Sequence, residues 1–217
     1  REERNEVTLS SNRPLVYMIT SGVATDDNIQ ITRLEINAAV KCAVDAGVSL
    51  IQIREKNISA RNLYELTLEL VEIVSGSDAR LLVNDRADIA AAAGADGVHL
   101  TSRSLTAEVV RASFGAGFVV GVSAHLAEDV VSAAAAGADF AVLGPIFATP
   151  NKPHPIGVGE LSKIVHAAGS LPVLALGGID ASNFRSVVDA GAAGFAAIRS
   201  LNDPRSLSDI MKKVGMK

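Results

Sequence analysis

Asp45-Ala46-Gly47-Val48, Ala93-Gly94-Ala95-Asp96, Ala136-Gly137-Ala138-Asp139 and Ala190-Gly191-Ala192-Ala193 are versions of one phrase, and a strand-like run follows each of them. An internal repeat of this kind decides the architecture before any single residue does. Each phrase reads as the end of an Ala-rich helix, closed by a glycine able to take a left-handed conformation, then a tight turn into a buried parallel strand. That is half of a βα unit.

Working outward from the phrases, strands are predicted at 15–20, 50–54, 80–84, 97–100, 118–122, 140–143, 172–176 and 195–198. Segments of helical period lie between them, such as Leu63, Leu66, Leu70 and Ile73, or Val187 and Val188 before Gly191. This alternation of strand and helix predicts an α/β fold, a single (β/α)8 TIM barrel, with an open doubly wound sheet as its rival. The barrel is expected over 14–217 and a loose tail over 1–13.

The composition agrees with one packed domain: 217 residues, 48% hydrophobic, mean hydropathy +0.30. A net charge of -4 without clustered Lys or Arg argues against a nucleic-acid partner and for a small molecule. No apolar run approaches the length of a membrane span, so no membrane partner and a cytoplasmic location are expected. The lone Cys42, on an apparent helix, reads as a packed thiol without chemistry.

In a barrel of this kind the active site is built on the loops that follow the strands, so polar residues there come first. After the second strand, Gln52, Arg54 and Lys56 alternate toward one side and suit an anionic or heteroaromatic ligand; the bland reading is an Arg54–Glu55 pair at a solvated strand end. Asn84 and Asp85 follow the third strand, where Asp85 could equally cap the next helix. His99 ends the fourth strand and reads first as a core histidine satisfied by a polar neighbour, with substrate binding as its second reading.

Ser123 and His125 follow the fifth strand, with His125 placed for general acid or base work and Ser123 for ligand contact or helix capping. After the sixth strand a long connection, 145–157, carries Thr149, Asn151 and Lys152 and reads as a binding loop or lid. Gly177-Gly178 after the seventh strand, before a helix capped by Ser182, and Arg199-Ser200 after the eighth read as a phosphate site.

Together the loops resemble the thiamin phosphate synthase/TenI superfamily from about Leu15 to Met211. The matching pieces, in the family's order, are Gln52-Ile-Arg-Glu-Lys56, Asn84-Asp-Arg86, Gly97-Val-His-Leu100, Gly121-Val-Ser-Ala-His125, Gly144-Pro-Ile-Phe147 with Thr149 and Lys152, and Gly177-Gly-Ile179. In the synthases, segments similar to these bind a pyrimidine diphosphate with magnesium and a thiazole phosphate. The resemblance would make Gln52, Arg54 and Lys56 ligands of the diphosphate substrate, Asn84 its pyrimidine contact and Asp85 a magnesium ligand. It would turn Thr149, Lys152, Gly178 and Ser200 toward phosphate groups.

Two positions depart from the synthase pattern. Thr101-Ser102-Arg103-Ser104 stands where synthases read Gly-Gln-x-Asp, so Ser104 replaces a second acidic magnesium ligand, and Thr149-Pro150-Asn151-Lys152 stands where they read Thr-x-Thr-Lys. Magnesium prefers carboxylate and phosphate oxygens, so losing one carboxylate should weaken its hold. A serine there resembles the TenI branch of thiazole tautomerases. The first expectation is therefore a TenI-like thiazole phosphate tautomerase. His125 would shuttle the proton, Arg54 or Lys56 pair with a carboxylate, and Gly177, Gly178, Arg199 and Ser200 hold phosphate. That reading expects no cofactor, a small phosphorylated thiazole as partner, and allows a homodimer. The alternatives are thiamin phosphate synthase, with magnesium at Asp85, and a non-catalytic regulator that binds a phosphorylated ligand.

Overall fold

The computed structural model describes residues 13–150 and 154–215. Eight parallel strands close into a barrel in sequence order, β1 beside β8. The strands are β1 (Leu15–Ile19), β2 (Leu50–Ile53), β3 (Arg80–Asn84), β4 (Gly97–Leu100), β5 (Val119–Ala124), β6 (Phe140–Leu143), β7 (Val173–Leu176) and β8 (Gly194–Ala197). The intervening helices are α1 (Ile29–Asp45), α2 (Ala60–Val74), α3 (Ala87–Ala93), α4 (Ala107–Phe114), α5 (Ala127–Ala135), α6 (Val158–Ala167) and α7 (Phe184–Asp189). Two more, α8 (Arg199–Asn202) and α9 (Pro204–Gly215), close the chain. The open sheet is thereby excluded. The fifth strand runs through Ala124, beyond the expected end at 122, which places Ser123 inside the strand.

The repeated phrase does what its glycines suggest. Gly47, Gly94, Gly137 and Gly191 take φ of 82°, 80°, 79° and 97°, the left-handed turn that carries each helix into the next strand. The position two residues after each glycine has a further task. Asp96 accepts the N–H of Leu81 at 2.9 Å, and Asp139 that of Val120 at 2.7 Å, so each carboxylate ties its turn to the strand next door. Ser49 does the same for Val16 at 3.3 Å, and the methyl of Ala193 has no acceptor to do it.

Strand alternation sorts the core into two layers. Leu15, Tyr17, Ile19, Leu50, Leu82, Val119, Phe140, Val142, Leu174 and Ala196 fill the barrel interior. Val16, Met18, Ile51, Ile53, Leu81 and Val83 point outward, to the helices. Each such side chain taken from water contributes about 1.5–3 kcal/mol before the entropy of ordering is counted. On α2 the apolar stripe buries Leu63, Leu66, Leu70 and Val74, with the expected Ile73 only partly covered.

Cys42 corrects an expectation. It lies on α1 but is exposed, because the buried face of that helix runs through Ile36, Val40 and Ala43 and leaves position 42 on the water side. Among the described residues no helix is long and apolar enough to cross a membrane. The proposed tail, apart from Arg13, falls outside the described residues.

Candidate functional site

Among the described residues, the side chains singled out from the sequence gather at the C-terminal ends of the strands. Gln52 is buried inside the barrel, Arg54 is half-buried and Lys56 exposed, so this stretch climbs from the interior to the rim. Glu55 does not pair with Arg54. It is 4% exposed and accepts the N–H groups of Gly22 at 3.0 Å and Ala24 at 2.9 Å, fastening the loop between β1 and α1 to β2. The Arg54 N–H reaches the buried hydroxyl of Thr20 at 2.8 Å, which holds the same two strand ends together.

Asp85 is not the cap of α3. The position before that helix belongs to Arg86, and no side chain caps it. Asp85 instead has a φ of 60°, a conformation that Asp tolerates better than most residues. The turn aims its carboxylate at the loop after β4. Its Oδ1 accepts the hydroxyl of Thr101 at 3.0 Å and the hydroxyl of Ser104, and its Oδ2 accepts Nδ2 of Asn84 at 2.7 Å. Burial pushes this carboxyl up, but the donors from Ser104, Thr101 and Asn84 outweigh it and hold Asp85 below the usual carboxylate value. Oδ1 of Asn84 is buried with no partner among the described residues, an open acceptor beside an ionised carboxylate.

His99 is the satisfied core histidine of the bland reading. It is 3% exposed, between Tyr17 Oη at 3.3 Å and Ser123 Oγ at 2.9 Å. Burial lowers its pKa to about 4, with the Asp85 charge pulling up and the Arg54 charge pulling down, so it is neutral near pH 7. Ser123 caps no helix. That task falls to Asp129, whose Oδ2 accepts the N–H groups of His125 and Leu126 at 2.8 and 2.9 Å.

His125 is exposed at the mouth and its Nδ1 lies 2.7 Å from the carbonyl oxygen of Gly144. A carbonyl can only accept, so Nδ1 is the donor of this bond and carries a proton.

Gly177 and Gly178 are also required for packing. Their φ values are 103° and 65°, and a Cβ would stand 2.7 Å from Pro145 on the first and 2.8 Å from Phe147 on the second. The connection after β6 lies against this turn, with Ile146 N–H donating to Leu176 O at 2.8 Å and Phe147 N–H to Gly177 O at 3.0 Å. The glycines therefore admit a neighbouring loop. The turn is knit further by Ser200, whose hydroxyl donates to Ile179 O at 2.8 Å, and by Asn183, whose Nδ2 donates to Gly178 O at 2.9 Å. Ser182 is not the cap of α7: Asn183 occupies that position, and Ser182 gives its N–H and hydroxyl to Asp180. Arg199 is exposed at the start of α8.

Thr149 is half-buried in the long connection, while Asn151 and Lys152 lie outside the described residues. Nothing in the sequence marked Tyr17 or Thr20 for the site, and Glu55 was legible only as a partner for Arg54. The alternation Leu15, Tyr17, Ile19 was enough to turn Tyr17 inward, but nothing local signalled where Glu55 would find its donors.

Comparison with known proteins bears on the chemistry. The chain matches the thiamine monophosphate synthase family, TMP-TENI, over residues 17–201. A protein of Geobacter sulfurreducens is 41% identical over 199 residues, covering 88% of this chain and 89% of its own. The thiamine-phosphate synthase of Roseiflexus castenholzii is 37% identical over 200 residues, covering 91% of this chain and 85% of its own. Among solved structures, thiamine phosphate pyrophosphorylase from Pyrococcus furiosus superposes with a TM-score of 0.78 at 30% identity, over 94% of this chain and 96% of that one.

These relatives overturn the expectation of a tautomerase. Ser104 reads, from sequence, as the loss of one carboxylate from a metal shell, yet chains named for the synthase are 37% identical to this one over 91% and 83% of its length. Closed barrel, mouth residues and relatives agree that this chain belongs to the thiamine monophosphate synthase/TenI family of enzymes.

Proposed function

We propose that the protein is a thiamin phosphate synthase, joining a pyrimidine methyl diphosphate to a thiazole phosphate. The bond from the pyrimidine methylene carbon to the diphosphate oxygen breaks, the thiazole nitrogen bonds that carbon, and diphosphate leaves with its electron pair. The observation that carries the reading is Asp85, an ionised carboxylate turned to the mouth by a left-handed backbone and steadied by three side chains.

The residues present fit magnesium. The ion is commonly held by one or two carboxylates plus water and substrate phosphate oxygens, so a single Asp85 is sufficient, and the unpartnered Oδ1 of Asn84 adds a neutral oxygen beside it. Asp85 would hold the ion, which when bound supplies positive charge against a leaving diphosphate. Arg54 and Lys56, rising beside it from β2, bind and orient the diphosphate. Asn84 and Ser123 lie lower, within their strands, and meet the heterocycle, while Gln52 is buried beneath them. Across the mouth, the turn at Gly177 and Gly178 with Arg199 and Ser200 receives the phosphate of the thiazole, and Thr149 adds a hydroxyl from the long connection.

The test offers purified protein both substrates with magnesium or with EDTA and measures thiamin phosphate. Magnesium-dependent product is expected. Its absence, with either substrate bound but unchanged, would replace the synthase with a ligand-binding role.

A further inference from the structure

Beneath the mouth a chain of side chains crosses the barrel interior. Gln52 Nε2 donates to Tyr17 Oη at 2.8 Å, Tyr17 Oη lies 3.3 Å from His99 Nδ1, and His99 Nε2 lies 2.9 Å from Ser123 Oγ. Gln52, Tyr17 and His99 are 1%, 0% and 3% exposed, whereas Ser123 is half-buried, so the chain begins in dry interior and ends at the ligand side. Phe140 seals it, meeting Tyr17 edge-on at 5.5 Å and lying 6.2 Å from the His99 ring. Gly121 makes room for that ring, since a Cβ there would stand 2.3 Å from it.

The network has one consistent direction, and it sets the proton positions. An amide nitrogen only donates, so Tyr17 accepts from Gln52 and its own proton goes to its other partner, His99 Nδ1. Nδ1 accepts and is therefore bare. The neutral ring then carries its proton on Nε2 and donates to Ser123 Oγ. Ser123 accepts from below and has its hydroxyl proton left for the mouth.

We propose that Tyr17 and His99 are positioning residues that fix Ser123 as a hydrogen-bond donor, aimed at an acceptor atom on the heterocycle of the pyrimidine diphosphate. The identity of that ligand rests on the function proposed above; the direction of the chain does not. If His99 carried its proton on Nδ1, every bond would reverse and Ser123 would face the ligand as an acceptor. Reversal would require the Gln52 amide to turn over and present Oε1 to Tyr17, so the direction rests on Nε2 of Gln52 being the atom that faces the phenol.

Two measurements test this. The first needs no activity: histidine-labelled protein, read by long-range proton–nitrogen correlation at neutral pH, is expected to show His99 protonated on Nε2 and bare on Nδ1. Tyr17→Phe is expected to admit the other tautomer while thermal unfolding confirms a folded barrel. A wild-type His99 protonated on Nδ1, or averaged between tautomers, overturns the proposal.

The second measures KM and kcat for the pyrimidine diphosphate. Tyr17→Phe is expected to raise KM about tenfold, the worth of one weakened hydrogen bond, and to add nothing in a Ser123→Ala background. His99→Gln, which can still donate to Ser123, is expected to recover most of what His99→Leu loses. Additive effects of Tyr17→Phe and Ser123→Ala would show that Tyr17 acts through the fold alone and overturn the proposal. Should the wild-type protein make no thiamin phosphate, the functional reading fails by itself, and the tautomer measurement decides the chain.

Discussion

Ser104 gives its hydroxyl to Oδ1 of Asp85, so the position where synthases resembling this chain place a second carboxylate is in direct contact with the carboxylate that remains. Ser104 thus orients Asp85, the carboxylate proposed above to hold magnesium. Asp85→Asn is expected to abolish magnesium-dependent turnover, with the fold intact. Ser104→Asp, restoring the second carboxylate, is expected to lower the magnesium needed for half-maximal rate by about tenfold, because two carboxylates with phosphate oxygens make a fuller shell. A magnesium titration unchanged by Ser104→Asp would show that the ion lies away from this pair.

The bond from His125 Nδ1 to the Gly144 carbonyl joins the end of β5 to the start of the long connection after β6. His125→Ala is expected to slow turnover several-fold by loosening that connection. His125→Asn, whose amide N–H can reach the same carbonyl, is expected to restore most of the rate. Equal damage from both would mean that the imidazole itself touches substrate.

Glu55 takes two backbone N–H groups inside the protein, and only a carboxylate can accept at both oxygens. Glu55→Gln turns one of these contacts into donor against donor. The expected cost is about 1–3 kcal/mol of stability, read from the denaturation midpoint. Arg54→Ala, by contrast, is expected to leave the midpoint nearly unchanged while weakening diphosphate binding by about a hundredfold, as for a charge-assisted contact. The opposite pattern would make Arg54 the structural residue of the two.

Acid should destabilise the protein in a defined window. His99 has a folded pKa of about 4 against about 6.5 when unfolded, so between these values the unfolded chain binds more protons than the folded one. Stability is full above the unfolded value and falls as pH drops toward 4, by about 3 kcal/mol from this group, since each tenfold change in proton affinity is worth about 1.4 kcal/mol. Asp85, held low by its donors, adds a loss in the same direction at still lower pH. His99→Gln is expected to flatten the upper part of the curve. A wild-type midpoint that does not move between pH ~6.5 and ~4 would contradict the burial assigned to His99.

Gly178→Ala is expected to disturb the connection after β6 as much as the turn that holds it, because the new methyl meets Phe147 and a left-handed φ at once. Loss of affinity for the thiazole phosphate, with the pyrimidine diphosphate still bound, would match its place on the far side of the mouth. Equal loss of both ligands would move the glycine pair into the shared framework.

What the sequence determined by itself was whatever repeats or alternates along the chain. The Ala-Gly phrase announced helix end, left-handed turn and strand each time, and its recurrence with strands between implied a closed barrel. Closure in turn ranked the loops, so Asp85, Ser123, His125 and Gly178 were marked by their place after a strand. These signals are local, carried by glycine stereochemistry and by the two-residue period of a strand.

Only the tertiary structure decided partners. Tyr17 meets His99 across 82 positions of sequence, Glu55 reaches back 31 and 33 positions to Ala24 and Gly22, and Ser104 reaches Asp85 across 19. The glycine pair proved to make room for Pro145 and Phe147, which no turn motif could show. Such contacts depend on the register between neighbouring strands and on closure of β8 against β1, both fixed by packing around the whole ring. A hydrogen bond is decided within a few tenths of an ångström, a precision that side-chain pattern along a chain does not carry and a closed barrel does.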